Sequence, residues 1–418
     1  YCVASAEQRR KGVEFCNSRR PVFIVNGMMG SMMDADISIP EKYSLRDGCS
    51  RHLSAYSLWL SPDIVIPSTQ RCIPEYMTMR YNKKTGRMEN REGVSTYYPY
   101  GWSVEGVSHL TSVKYLRELT RVFVEITDNL EMMGYYDPYD LQAAAIDWRL
   151  MKQSDKWKAD LQMRIEQQVK GCGRKAVIVA HSLGGLVAFD FLESMKQSWI
   201  DKNVYKVITI STPWAGTLKA LRGLLSGDRL GLPSVIFDEE LFLNASRTFE
   251  SLYGLLPNPD LFGMKEILKV GNNTYTAKGV HKLIKVLSGS MLPDYAKELA
   301  KMSELSLKWK NKFPHTCVYS EGVETETHLT YSPNYTLVDS MMTADGDGTV
   351  EVKSLSLCKN WASEVVKVSN VEHLRILENK EVISLIQSEV CAEEDYEPVP
   401  MTLLESILMS IQRIFLSI

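Results

Sequence analysis

The residues best placed to do chemistry centre on Ser182, which sits between small neighbours in Ala180-His-Ser-Leu-Gly184, after the apolar run 176–180 and before a helical pattern. A turn from strand into helix at this point is so tight that the residues two before and two after the serine must be small, as Ala180 and Gly184 are. It would hold the hydroxyl at a helix N-terminus, where free N–H groups and the helix dipole favour developing negative charge. The chemistry implied is nucleophilic attack on a carbonyl, which needs a base to take the proton and a carboxylate to orient that base. On such a turn the order along the chain is serine, acid, histidine. Of seven histidines only His373 follows the acidic loop Ala344-Asp-Gly-Asp-Gly-Thr-Val350. Within that loop Asp347 is preferred to Asp345, because Asp-Gly-Thr-Val suits the end of a strand. His181 is a poor base for its neighbour, since adjacent side chains on this turn point apart. The oxyanion needs two backbone donors, expected from Leu183 and, in the glycine-bearing loop 26–31, from Met28. A calcium loop starting at Asp345 would need Glu at its twelfth position, which is Ser356. No metal or cofactor is expected.

Elements must then position these groups. Short apolar runs at 22–25, 176–180 and 207–210 end in turn residues and read as buried parallel strands, and 364–368 is strand-like ahead of His373. Helical patterns at 119–133, closed by Gly134, and 157–169, closed by Gly171, alternate with them. The alternation predicts an α/β, doubly wound, mostly parallel sheet, and the serine turn makes it an α/β-hydrolase arrangement. Two stretches break the pattern, and insertions of that size sit over the carboxyl ends of strands, where ligands bind. The expected organisation is a core of 20–47, 105–217 and 314–390, a lid at 48–104, a cap at 218–313, and a tail at 391–418. In the tail Leu404, Ile407, Leu408, Ile411, Ile414, Phe415 and Ile418 share one helical face.

The chain has 418 residues, 44% hydrophobic and 24% charged, enough for a full core with inserted subdomains. Its net charge is −3 with the basic residues scattered, which argues against nucleic acid as a partner. There is no run of eighteen apolar residues, so contact with lipid is expected from the surface. Eight cysteines, a first residue, Tyr1, that suits a processed chain, and acceptor patterns for N-glycosylation at Asn244, Asn272 and Asn334 favour the secretory route. Secretion or an acidic organelle lumen, lysosomal or vacuolar, is the expected destination.

These segments together resemble the lecithin:cholesterol acyltransferase family, and within it the lysosomal phospholipase A and acyltransferase branch. The resemblance runs over about residues 20–390. It includes Pro21-Val-Phe-Ile-Val-Asn-Gly, Ile146-Asp-Trp-Arg, the Ser182 turn, Ser211-Thr-Pro-Trp-Ala-Gly, Cys317-Val-Tyr, Asp345-Gly-Asp-Gly-Thr-Val and Glu372-His373. It implies that Ser182 takes an acyl chain from a glycerophospholipid at a membrane or lipoprotein surface. The acyl group would pass to water or to a lipid alcohol such as a sterol, diacylglycerol or ceramide. It also implies disulfides Cys49 with Cys72 and Cys317 with Cys358, the first closing a membrane-binding loop. On that loop Trp59, Leu60, Ile64, Val65 and Ile66 suit insertion at a lipid interface, the alternative being that they pack on the sheet. The sequence departs from the family at Asn26, where proline is usual, and at residues 82–92, which look like an insertion. A soluble carboxylesterase or thioesterase, or a non-catalytic lipid-binding protein on the same scaffold, is the competing reading.

Overall fold

A computed structural model describes residues 19–60, 63, 66–228, 239–304 and 312–391. Six strands, β1 (Val22–Val25), β2 (Leu141–Ala143), β3 (Ala176–His181), β4 (Val204–Ile210), β5 (His315–Glu321) and β6 (Glu364–Ser369), form one sheet in the order β6-β5-β4-β3-β1-β2. Every neighbouring pair is parallel. Each residue of β1 and β3 is buried, as unbroken apolar runs require when helices cover both faces. The strands predicted at 22–25, 176–180, 207–210 and 364–368 are all present, in the mostly parallel α/β-hydrolase sheet expected.

Two helices differ from their predicted limits. The pattern at 157–169 lies within Asp155–Cys172, capped by the Ser154 hydroxyl, which accepts from the N–H of Trp157. Its stop is Gly173 at φ +65°, two residues beyond Gly171, because the left-handed position falls there. The pattern at 119–133 is helical only over Val124–Met132, after a short 3₁₀ turn at Glu118–Thr120. Its start is pulled away into a small ladder: the N–H of Leu110 bonds the carbonyl of Thr120, and the N–H of Val122 that of Ser108.

Among the described residues three smaller sheets accompany the main one. His52–Trp59 pairs with Met33–Ser38, which pairs in turn with Val94–Tyr97, so the lid sheet takes a strand from residues assigned to the core. The insertion at 82–92 belongs to the hairpin of Met79–Asn82 with Arg87–Asn90. Arg149, fully buried, clamps it: its guanidinium donates to the carbonyl of Met77 (3.0 Å), to Asn90 Oδ1 (2.7 Å) and to both oxygens of Asp147. On the cap side, Glu266–Val270 pairs with Asn273–Thr276 and with Val323–Tyr331, which pairs with Leu337–Gly346. The last two strands, expected in the core, therefore form a hairpin that leaves β5 to join the cap and returns at Asp347.

Trp59 and Leu60 are corrected from lipid-facing to buried, at 0% and 2% exposure. The strand ending at Trp59 gives the segment a sheet to pack on, which the sequence read as a broken loop. Ile66 is 45% exposed, whereas Ile64 and Val65 lie outside the described residues, as does the tail beyond Cys391. Among the described residues no helix is long and apolar enough to cross a membrane.

Cys49–Cys72 and Cys317–Cys358 are disulfides, as the family resemblance implied, and Cys172 and Cys391 are disulfide-bonded too. The second bridge ties β5 to the approach to β6 across a separation of 41 residues that includes Asp347. Loop-closure entropy for that length is worth about 4 kcal/mol. A Cys317→Ala/Cys358→Ala variant is expected to lose stability of that order in denaturant unfolding. A loss below about 1 kcal/mol would show that the bridge does not constrain the unfolded chain.

Candidate active site

Ser182 ends β3 and caps the helix Leu183–Glu193 at φ +54°, ψ −126°, a conformation that costs a non-glycine residue on the order of 1–3 kcal/mol. Two backbone bonds hold it there, from its N–H to the carbonyl of Ile210 (2.9 Å) and from the N–H of Gly185 to its own carbonyl (3.0 Å). The small residues foreseen by the sequence are required by contact. A Cβ on Gly184 would lie 2.5 Å from the carbonyl oxygens of Val25 and Asn26, and one on Gly27 would lie 2.9 Å from the Ser182 Cβ.

His373 and Asp347 reach this serine from far along the chain. His373 Nε2 is 2.9 Å from Ser182 Oγ, and His373 Nδ1 is 2.7 Å from Asp347 Oδ2. Asp347 is fully buried, and its Oδ1 accepts from the N–H groups of Thr349 (3.1 Å) and Val350 (2.8 Å). A carboxylate facing Nδ1 fixes the proton on that nitrogen and leaves Nε2 as the acceptor for the serine hydroxyl. The two loops are also joined through the backbone, since the N–H of His373 donates to the carbonyl of Asp347 (2.9 Å). Asp345 faces elsewhere, its Oδ1 accepting from the N–H of Gly322. Ser182, Asp347 and His373 are thus brought together.

The amides of Met28 and Leu183 make no hydrogen bond among the described residues. Gly27 lies directly on Ser182, so the loop carrying Met28 borders the hydroxyl. Met28 also lines a narrow, partly open cavity of about 20 Å³ with Met29, Met77, Trp148, Phe242 and Phe249. That volume holds about one water, so an acyl chain entering here must displace side chains, and the unbranched methionines are the ones that yield most readily.

Sequence reasoning missed the supporting roles of four residues. Trp59, buried in the lid, donates from Nε1 to the carbonyl of Met29 (3.0 Å) and packs edge-on against Trp148 at 5.2 Å. Asn26 and Ser31 both bond the Ile146 peptide. His181, set aside as a base, is buried and neutral, its pKa lowered to about 3 by burial and then by the neighbouring charge of His373. Its Nε2–H donates to the carbonyl of His373 (2.9 Å). Nothing in the motifs marked these partners, because each bond joins segments remote in sequence.

His315, the first residue of β5, is likewise lowered to about 3 by burial, with Nε2 2.8 Å from Thr209 Oγ1. Both imidazoles are neutral in the fold but titrate near 6.5 in the unfolded chain, which therefore binds more protons at low pH. Their contribution to stability is lost as pH falls from 6.5 toward about 3. Between pH 7.5 and 5 the expected loss is about 2 kcal/mol per histidine. Buried carboxyls with raised pKa, such as Glu250 and Asp140, act in the opposite sense, so the comparison with a variant carries the measurement. Urea unfolding of His315→Gln should depend less steeply on pH by that amount, and a slope equal to wild type would contradict this account.

A sequence profile described as Lecithin:cholesterol acyltransferase matches residues 55–275 and 258–390. The chain is 25% identical to the phosphatidylcholine-sterol acyltransferase of Mus musculus, over 90% of this chain and 86% of that one. It is 24% identical to the lysosomal phospholipase A and acyltransferase of the same species, over 88% and 89%. Lecithin-cholesterol acyltransferase-like 1 of Arabidopsis thaliana is 26% identical over 80% and 79%. A chain in the crystal structure of the Tle4–Tli4 complex superposes with a TM-score of 0.50 at 12% identity, covering 89% of this chain and 98% of that one, and supports the fold alone. With the profile spanning residues 55–390, the chain belongs to the lecithin:cholesterol acyltransferase family.

Proposed function

We propose that this protein is a serine-dependent phospholipase A and lipid O-acyltransferase in which Ser182 is the nucleophile, His373 the general base and Asp347 its orienting carboxylate. The observation that carries the reading is the continuous chain of hydrogen bonds from Asp347 through His373 to the hydroxyl on the strained bend. Ser182 Oγ attacks the carbonyl carbon of a glycerophospholipid ester while its proton passes to His373 Nε2. The developing oxyanion is met by the N–H groups of Met28 and Leu183. Collapse of the tetrahedral adduct breaks the ester C–O bond, and the imidazolium returns its proton to the departing lysophospholipid alkoxide. Water, or the hydroxyl of a sterol, diacylglycerol or ceramide, then repeats the cycle in reverse on the acyl-enzyme. Every group used belongs to this chain.

Family membership and the names of the curated relatives support a lipid ester as the substrate class. The lid at 48–104 and the cap at 218–313, extended by the hairpin 323–346, would wall the acyl chain, with the apolar cavity beside Met28 as its seat. Ile66, with Ile64 and Val65 beside it in sequence, is proposed as the lipid-surface contact on the Cys49–Cys72 loop. Disulfides at all six described cysteines support an oxidising compartment, the secretory route or a lysosomal lumen. Asn244, Asn272 and Asn334 are all exposed, as glycan acceptors must be.

The test is mass-spectrometric analysis of products from phosphatidylcholine vesicles with and without added sterol, diacylglycerol or ceramide. Wild type should release lysophospholipid and form an acylated alcohol when one is present. Ser182→Ala should fall at least about 10³-fold. Equal turnover by the two proteins, or failure of a fluorophosphonate to label Ser182, would rule out the mechanism. Good turnover of short-chain esters with no gain from vesicles would favour a soluble esterase instead.

A further inference from the structure

The oxyanion reading depends on one peptide group, that between Gly27 and Met28, because the N–H of Met28 and the carbonyl of Gly27 belong to the same rigid plane. A trans peptide directs its N–H and C=O to opposite sides, so whatever fixes the oxygen aims the hydrogen. The side chain of Asn26 does this. Its Nδ2 donates to the carbonyl of Gly27 (2.9 Å), and the N–H of Gly30 donates to the same oxygen (3.2 Å). The other end of the amide, Oδ1, accepts from the N–H of Ile146 (3.0 Å). Ser31 completes the grip, its Oγ donating to the carbonyl of Ile146 (3.2 Å). One residue of the neighbouring segment is thus held at both its N–H and its C=O by the loop that carries Met28, and Asn26 and Ile146 are both fully buried.

A proline at this position could make neither bond, since it has no side-chain amide. It would leave the N–H of Ile146 without its acceptor in a dry site.

We infer that Asn26 is a positioning residue for the oxyanion hole, orienting the Gly27–Met28 peptide through its carbonyl and polarising it so that the Met28 N–H is a stronger donor. A hydrogen bond accepted at C=O increases the positive character of the N–H in the same group. The inference rests on the serine mechanism proposed above and adds to it a residue that never touches substrate. Its effect is confined to the transition state, because the full negative charge is present only there.

Three proteins are compared on phosphatidylcholine vesicles: wild type, Asn26→Ala, which removes both bonds, and Asn26→Asp, which keeps the acceptor for Ile146 but sets a carboxylate oxygen against the Gly27 carbonyl. Losing one oxyanion donor costs about 10²–10³-fold in kcat, and a donor that is misaimed rather than lost should cost about 10–100-fold. Asn26→Ala is expected to show that fall in kcat with KM changed by less than about 3-fold. Affinity for a boronic acid that forms a tetrahedral adduct should fall in parallel, while binding of a non-cleavable ether phospholipid stays the same. Asn26→Asp should be at least as impaired as Asn26→Ala, although it retains the bond to Ile146. Unchanged kcat, or a loss of ether-lipid binding equal to the loss of kcat, would overturn the inference. Should neither variant fold, the side-chain amide of Asn26 is followed by NMR in wild type. Its proton resonance should move downfield on forming the boronate adduct, and an unmoved resonance would overturn the inference. Failure of the serine mechanism reads out separately, as activity that survives Ser182→Ala.

Discussion

The constraint on which the rest of the structure depends is the close approach between the helix that begins at Leu183 and the backbone leaving β1. With Gly184 only a methyl's breadth from the carbonyls of Val25 and Asn26, and Gly27 against the Ser182 Cβ, the bend and the loop after β1 form one object. Strain at Ser182 persists because β3 on one side and a buried helix on the other leave the bend no alternative path. What that strain achieves is placement. The hydroxyl stands at a helix N-terminus, beside a loop whose Met28 amide makes no hydrogen bond among the described residues, at the carboxyl ends of the strands.

The proposed acid and base reach this point by a different device. Asp347 comes back from a hairpin that has spent its length in the four-stranded sheet with 266–270, and His373 follows edge strand β6, four of whose six residues are open to solvent. Neither anchor is stiff by itself. Stiffness comes from cross-bonds: the amide of His373 to Asp347, the two amides donated to the Asp347 carboxylate, the His181 ring donating to the carbonyl of His373, and the Cys317–Cys358 bridge beneath them. A group that orients a base need not be charged. His181 is a case in which burial keeps an imidazole neutral, so that it can donate without competing for the proton.

Most of the core and of the proposed triad was legible in the sequence because each rests on a local rule. The strands β1, β3 and β4 are runs too apolar to be anything but buried, and the small residues around Ser182 answer to a steric demand within five positions. Asp347 could be preferred to Asp345 from the turn residues that follow it. What escaped was everything set by contact between distant segments. The strand at 52–59 has no clean alternation, so its membership of a sheet, and with it the burial of Trp59 and Leu60, depends on partners at 33–38 and 94–97. The hairpin 323–346 reads as plain strand pattern, and its allegiance to the cap is decided by the parallel partner at 266–270.

Burial of Trp59 changes what the lid can do. Its indole nitrogen holds the carbonyl of Met29, two peptides on from the Met28 amide, while its ring meets Trp148 at 5.2 Å and Phe242 at 6.4 Å. Lid, core and cap therefore converge on the loop that would bind the oxyanion. The cavity beside Met28 is lined by Trp148 and Phe242, so an acyl chain seated there would press on the rings that meet Trp59. On the proposed mechanism, binding energy from a long apolar chain, at about 0.8 kcal/mol per methylene, would be available to shift the peptide assigned to the oxyanion. A short ester buries too few methylenes to do this, which gives a physical reason for a family scaffold of this kind to work on lipids rather than on small soluble esters.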